Sequence, residues 1–141
     1  MPPPVISPVR WTVVEDILCT YTEPESPVPE QQWQELLDVI TLGRVRGMLV
    51  GLASGGPGRL SNARMRGALR DIGALTVGLT DDRLTLGLIR TGALFGLRIG
   101  AYPWRQIERA CGRLELSRDS ALRVTKVMHA LRAGDPIEGF H

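Results

Sequence analysis

Residues 47–53 read Gly-Met-Leu-Val-Gly-Leu-Ala and are apolar on both faces, as a strand buried inside a parallel sheet must be. A glycine-rich turn and a helical pattern over 61–72 follow, the latter with Met65, Ala68, Leu69 and Ile72 on one side. The alternation then repeats. Residues 74–79 form a second buried strand pattern, ended by Thr80-Asp81-Asp82 and followed by a helical stretch over 82–95. Residues 97–102 form a third, after which Pro103 opens a helix carrying Ile107, Ala110, Cys111 and Leu114. Repeated strand–helix pairs require right-handed crossovers and a largely parallel sheet.

Upstream, residues 11–14 and 17–21 are two β-rich runs separated by Glu15-Asp16, which predicts an antiparallel hairpin. Trp33, Leu36, Leu37 and Ile40 fall at i, i+3, i+4 and i+7, predicting a helix over 30–42 with Gly43 after its end. Thr80 or Asp81 can cap the helix over 82–95, and Ser117 or Asp119 the last one. That last helix runs to about Ala133, turns Val124, Met128 and Leu131 inward, and stops at Gly134. The expected fold is α/β: a small mixed, mostly parallel sheet with an N-terminal hairpin, flanking helices and an extra C-terminal helix. Residues 1–9, with four prolines, read as an extended arm, 10–116 as the α/β domain, 117–134 as a helix packed on it, and 135–141 as a tail.

Composition fits this frame. With 141 residues, 43% of them hydrophobic, the chain can bury a core without disulfides or metal. Two cysteines, Cys19 and Cys111, are too few for a disulfide framework and lack zinc-ligand spacing. No apolar run approaches the roughly 20 residues of a membrane span, and the start lacks a secretory leader pattern. The expectation is a cytoplasmic protein with no cofactor. Charge is unevenly placed: residues 1–43 hold one Arg against seven acids, and six Arg and no acid lie between Arg44 and Arg70. No aromatic side chain interleaves those arginines, so nucleic acid is not the expected partner.

In an open α/β sheet, ligands and partners gather at the carboxyl ends of the strands. Three loops meet there: 54–58, 80–82 and 102–105. In the first, Ser54, Gly55 and Gly56 precede a helix start at Ser61, with Arg64 and Arg66 beside it. Backbone amides and arginines in that setting suit an anion or an acidic partner surface. Neither a phosphate-binding P-loop spacing nor a dinucleotide-binding glycine pattern is present. Ser61 can serve as an N-cap or accept a phosphate. Asp81 and Asp82 offer paired carboxylates, but spacing places no third beside them, so no metal site is expected. His129 and His141 lie far in sequence from the strand-end loops, and no nucleophile–base pair can be assembled. No catalytic residue is assigned. Cys19, Cys111, Trp33 and Trp104 read as core or interface side chains.

Three phrases carry a resemblance. They are Gly43-Arg44-Val45-Arg46-Gly47-Met48-Leu49-Val50, Leu79-Thr80-Asp81-Asp82, and Leu94-Phe95-Gly96-Leu97-Arg98-Ile99-Gly100-Ala101-Tyr102-Pro103. Over about residues 9–116 the chain resembles the STAS-type domains, the fold of the anti-sigma-factor antagonists, and among them the STAS-like bacterial proteins of uncertain function. The resemblance implies a non-enzymatic module that binds another protein. In the antagonists a serine of an Asp-Ser pair, after the third strand, is phosphorylated. Ser54 or Ser61 stands in that region here, without the Asp and in a longer, glycine-rich loop.

Two functions follow as expectations. The first is a cytoplasmic regulatory or scaffold module that docks through Ser54, Gly55, Gly56, Ser61, Arg64 and Arg66 to another, acidic protein. The second is a carrier or sensor of a small or lipid ligand, in an apolar pocket between sheet and helices lined by Leu84, Leu88 and Phe95; the other reading of those three is that they are core. A homodimer is expected through the arm residues Val5 and Ile6 and the hairpin edge.

Overall fold

The computed structural model describes residues 9–22, 30–43, 45–52, 73–94 and 98–135. Strands β1 (Val9–Val14) and β2 (Ile17–Thr22) form the predicted hairpin. Its two-residue turn puts Glu15 at φ 57°, a left-handed conformation that costs a non-glycine residue on the order of 1–3 kcal/mol. Contacts from both flanks hold it. The Ser120 hydroxyl donates to Glu15 Oε1 at 2.8 Å, and Arg123 pairs with the same carboxylate. On the other side Arg46 donates its backbone N–H to the Asp16 carbonyl at 2.8 Å and its Nε to Asp16 Oδ2 at 2.9 Å.

Helix α1 (Glu30–Leu42) matches its expected span and turns Leu36 and Ile40 into the core. Strand β3 (Gly47–Leu52) is buried at every position, as its sequence requires. Next come β4 (Leu75–Leu79), α2 (Arg83–Leu94) and β5 (Ile99–Tyr102). A 3-10 turn over Trp104–Gln106 leads into α3 (Ile107–Arg113), and α4 (Arg118–Ala133) closes the described chain. Ser117 caps α4 by accepting the Ser120 N–H, and Gly134 ends it at φ 77°. There the Asp135 and Gly134 amides bond back to the Ala130 and Leu131 carbonyls.

The five strands lie in sequence order, β1-β2-β3-β4-β5, with β1–β2 antiparallel and the other pairs parallel. With that order, right-handed crossovers all fall on one face of the sheet. Leu36 and Ile40 of α1 and Ile89 of α2 accordingly share a core with Leu18, Met48, Val50, Leu52 and Ala101. On the opposite face Ile17, Cys19, Leu49, Val77 and Leu79 pack under Ile107, Ala110, Cys111 and Leu114 of the α3 region and under Val124, Met128 and Leu131 of α4. The C-terminal helix is therefore part of the cover of one face of the sheet. Val124 and Met128 are completely buried, each worth about 1.5–3 kcal/mol of apolar transfer.

Edge strand β5 is short, and α2 reaches over it: Arg90 donates Nε and Nη2 to the Ala101 carbonyl at 3.4 and 3.3 Å. A guanidinium on an outward-facing carbonyl blunts that edge against pairing with another chain.

Met128→Ala leaves a cavity between α4 and the sheet and is expected to lower stability by about 2–5 kcal/mol. Urea unfolding followed by far-UV circular dichroism measures it. A loss no larger than that of an exposed-site substitution would show that α4 is not part of the core.

Candidate functional site

Helix α4 starts beside the hairpin turn, at Ser120 and Glu15, and runs alongside the parallel strands to their carboxyl ends. Its last turn therefore arrives where β4 and β5 deliver their exit loops. The side chains that meet there come from five elements.

Trp104, directly after β5, is the floor of this region and only 5% exposed. Its six-membered ring lies on the backbone of β3 at Gly51, where an added Cβ would stand 2.8 Å from two ring carbons and 2.9 Å from Tyr21. Only glycine permits that approach. Tyr21 stands at 6.2 Å and His129 at 6.1 Å from the indole, centroid to centroid. The Arg132 guanidinium sits 4.5 Å above the indole centroid, a cation–π contact. Asp81 joins the two halves: its Oδ1 accepts the Trp104 backbone N–H at 3.1 Å and its Oδ2 faces Arg132 at 3.6 Å.

Arg10 is the side chain that sequence reasoning missed. Alone among the arginines described it is buried, at 8% exposure. It stacks 5.0 Å from the Tyr21 centroid and donates Nε to the Leu131 carbonyl at 2.8 Å and Nη2 to the Arg132 carbonyl at 3.4 Å. A cation there gives the Leu131 carbonyl a second donor beside the Gly134 amide, reaches the Arg132 carbonyl, and complements the helix dipole. Nothing local marks the position, because the contact spans more than 120 residues of chain.

The two aspartates are both engaged. Asp82, rather than Thr80 or Asp81, caps α2: its Oδ2 accepts from the Thr85 backbone N–H at 3.2 Å and from the Thr85 hydroxyl. Thr80 instead supplies Oγ1 to the Asp82 N–H at 3.2 Å. The Thr85 hydroxyl, above all, holds the Asp82 carboxyl below its ordinary value. Among the described residues no three His, Cys, Asp or Glu side chains gather as a metal site would need.

His129 is exposed, and among the described residues no hydrogen bond joins it to Asp81 or to a cysteine. Cys19 and Cys111 are free thiols inside the same core. Burial, with a smaller contribution from Cys111, pushes the Cys19 thiol up to about 12, and burial raises Cys111 as well. Neither is available as a thiolate near neutral pH.

Leu84 and Leu88 do not line a pocket between sheet and helices, nor are they core: they are 71% and 50% exposed. Thr85 and Ile89 occupy the inward face of α2 instead. Among the described residues there is a cleft of about 310 Å³ between the hairpin and α4, open to solvent and lined by Thr12, Val14, Arg123, Lys126 and neighbours. Phe95, the arm with Val5 and Ile6, the helical pattern over 61–72, and Ser54, Gly55, Gly56, Ser61, Arg64 and Arg66 lie outside the described residues, as does the Trp33 side chain. No helix described is long and apolar enough to cross a membrane.

No protein-family model and no curated protein matches the chain. What is shown is a small α/β domain with a five-stranded mixed sheet and an N-terminal hairpin.

Two measurements check this account. Because the Asp82 pKa is lowered by folding, its contribution is present above the unfolded carboxylate value of about 3.9 and is lost as pH falls through the folded value. Asp82→Ala should lower the thermal midpoint at pH 7, and its deficit should shrink as both proteins are taken below pH 4. A deficit unchanged by acid would remove the cap from the explanation. Independently, a thiol-reactive disulfide reagent at pH 8 should label neither cysteine in the folded protein and both in denaturant.

Proposed function

We propose that the chain is a non-enzymatic regulatory or scaffold module, STAS-like in kind, that works by docking to another protein in the cytoplasm. The observation that carries the reading is the outer face of α2, where Leu84 and Leu88 stand one turn apart at 71% and 50% exposure. Large apolar side chains aligned in solvent are what a docking surface offers before its partner arrives. The chemistry of the strand ends supports the same reading. Asp81 and Asp82 are bound into turns and caps, and both thiols are buried and protonated.

The proposed contact includes the segment with Ser54, Gly55, Gly56, Ser61, Arg64 and Arg66, whose arginines suit an acidic partner surface. Phosphorylation of Ser54 or Ser61 would place a dianion among those arginines and so regulate the same contact.

Native mass spectrometry of the protein, gently purified from its own cells, is the test. The expected result is a complex with another polypeptide that survives in the wild type. It should be lost in Arg66→Glu or Leu84→Glu while the thermal midpoint stays unchanged. A bare chain under these conditions, or a complex indifferent to both substitutions, would overturn the reading. A bound mass of a few hundred daltons would favour the ligand carrier instead.

A further inference from the structure

The two edges of the sheet are finished differently. At β5 the Arg90 guanidinium occupies an outward carbonyl. Among the described residues, edge strand β1 has no such guard. Its hydrogen-bond phase follows from the hairpin: Val14 and Ile17 close a two-residue turn and are therefore a bonded pair. Bonded and non-bonded pairs alternate along an antiparallel ladder, so Thr12 also bonds to β2, while Val13 turns its N–H and C=O away from it. Among the described residues neither group has a partner. The open cleft of about 310 Å³ runs along this edge, with Thr12, Val13, Val14 and Glu15 on one wall and Arg123, Lys126 and Val127 of α4 on the other. The Val13 side chain packs with the core of the opposite face, so the cleft reaches the strand's edge. Its charge is one-sided. Glu15 is engaged by Ser120 and Arg123, whereas Lys126 is exposed and forms no ion pair among the described residues. Helix α4 carries four cations against one acid, Asp119.

We propose that the β1 edge takes one further strand, an extended acidic segment of a partner protein laid in the cleft between β1 and α4. Main-chain hydrogen bonds to Val13 supply affinity, and alternate side chains supply specificity. Successive residues of an added strand face opposite sides of the sheet. Those on the α4 side meet Lys126 and Arg123, which suit carboxylates. Those on the other side extend the apolar row of Trp11 and Val13. The bound segment therefore alternates acidic and apolar residues. A second copy of this chain fits less well. Two β1 edges paired about a two-fold axis set both α4 helices on the same side of the joined sheet, cation towards cation, which like-charge repulsion disfavours. This surface is separate from the outer face of α2 and goes beyond the docking reading by naming the kind of segment bound.

The probe is a fluorescent, end-blocked peptide of alternating glutamate and valine, six residues long like β1, titrated with the full chain and followed by anisotropy. It should bind, and the matching peptide of lysine and valine should bind at least tenfold more weakly. Lys126→Glu should weaken the glutamate peptide at least fivefold without changing the far-UV spectrum. Pairing through the main chain has its own signature. N-methylation of alternate peptide residues should abolish binding in one phase and spare it in the other, because only one phase turns its N–H towards β1. Val13→Pro removes an outward N–H that an edge strand can lose, and should weaken binding as well; if it fails to fold, the methylated peptides carry the test. Lys126 is the only lysine in the chain, so a carbodiimide should couple the bound peptide's glutamates to it. No binding by the wild type, equal binding of the two peptides, indifference to Lys126→Glu, or equal effects of the two methylated series overturns the proposal. So does a dimer of the chain that excludes the peptide, since a second copy then holds the edge. None of these outcomes bears on the outer face of α2, which has its own test in Leu84→Glu.

Discussion

Strand order dictates most of this molecule. Four parallel strands laid down in sequence order place their crossover helices on one side of the sheet, because a right-twisted strand feeding a right-handed helix returns only that way. The opposite side would be bare, and the strands that form it carry Ile17, Cys19, Leu49, Val77 and Leu79. Some later part of the chain has to cover those side chains. The 3-10 turn, α3 and α4 do so, and their inward residues are as thoroughly buried as the strands themselves. A helix that looks like an appendage to a minimal α/β unit is thus a condition of its stability.

The same requirement explains why the strand carboxyl ends are so fully occupied. To lie flat on the second face, α4 must be fixed at both ends. Its start is held by Ser117 and by the Ser120–Glu15 contact, its finish by Arg10 on the Leu131 and Arg132 carbonyls. Trp104, seated on Gly51 and roofed by Arg132, fills the corner between α4 and β5. Asp81 then has the amide of Trp104 and the guanidinium of Arg132 to satisfy. A position at which many α/β proteins keep reactive side chains is used here to anchor a helix. Among the described residues, large apolar side chains stand exposed in both helical layers: Leu42, Leu84, Leu88 and Leu94 in the first, Leu122 of α4 in the second.

How legible this was depends on the range of the interaction concerned. Residues within a turn of one another declared themselves. The hairpin about Glu15 and Asp16, the span of α1, the Ser117 cap and the Gly134 stop all follow from signals a few residues apart. The phase of α2 did not. Leu84, Leu86 and Leu88 alternate with Thr85, Gly87 and Ile89, so the segment is apolar all round and its sequence does not say which side faces the sheet. In the fold Thr85 and Ile89 face inward, and the two leucines that spacing alone would place against the sheet or a pocket face outward. Arg10 and His129 were invisible for another reason. One reads as an ordinary strand arginine and the other as a remote helix histidine until the last helix is laid across the sheet.

Arg10 and Leu131 are bonded across 121 positions of chain, and Glu15 and Ser120 across 105. As the protein is synthesised, the hairpin emerges first, yet the partners that fix both of its ends come nearly last. For most of translation the sheet has one dressed side and one side of exposed Ile, Leu and Val, ready to adhere to any other unfinished chain. Contacts so distant in sequence also make the final closure slow, since the entropy of the loop is spent before any bond is gained. Cells that make this protein therefore have reason to shield its second face during synthesis, and a version cut short before Leu131 would emerge as a substrate for chaperones or proteases.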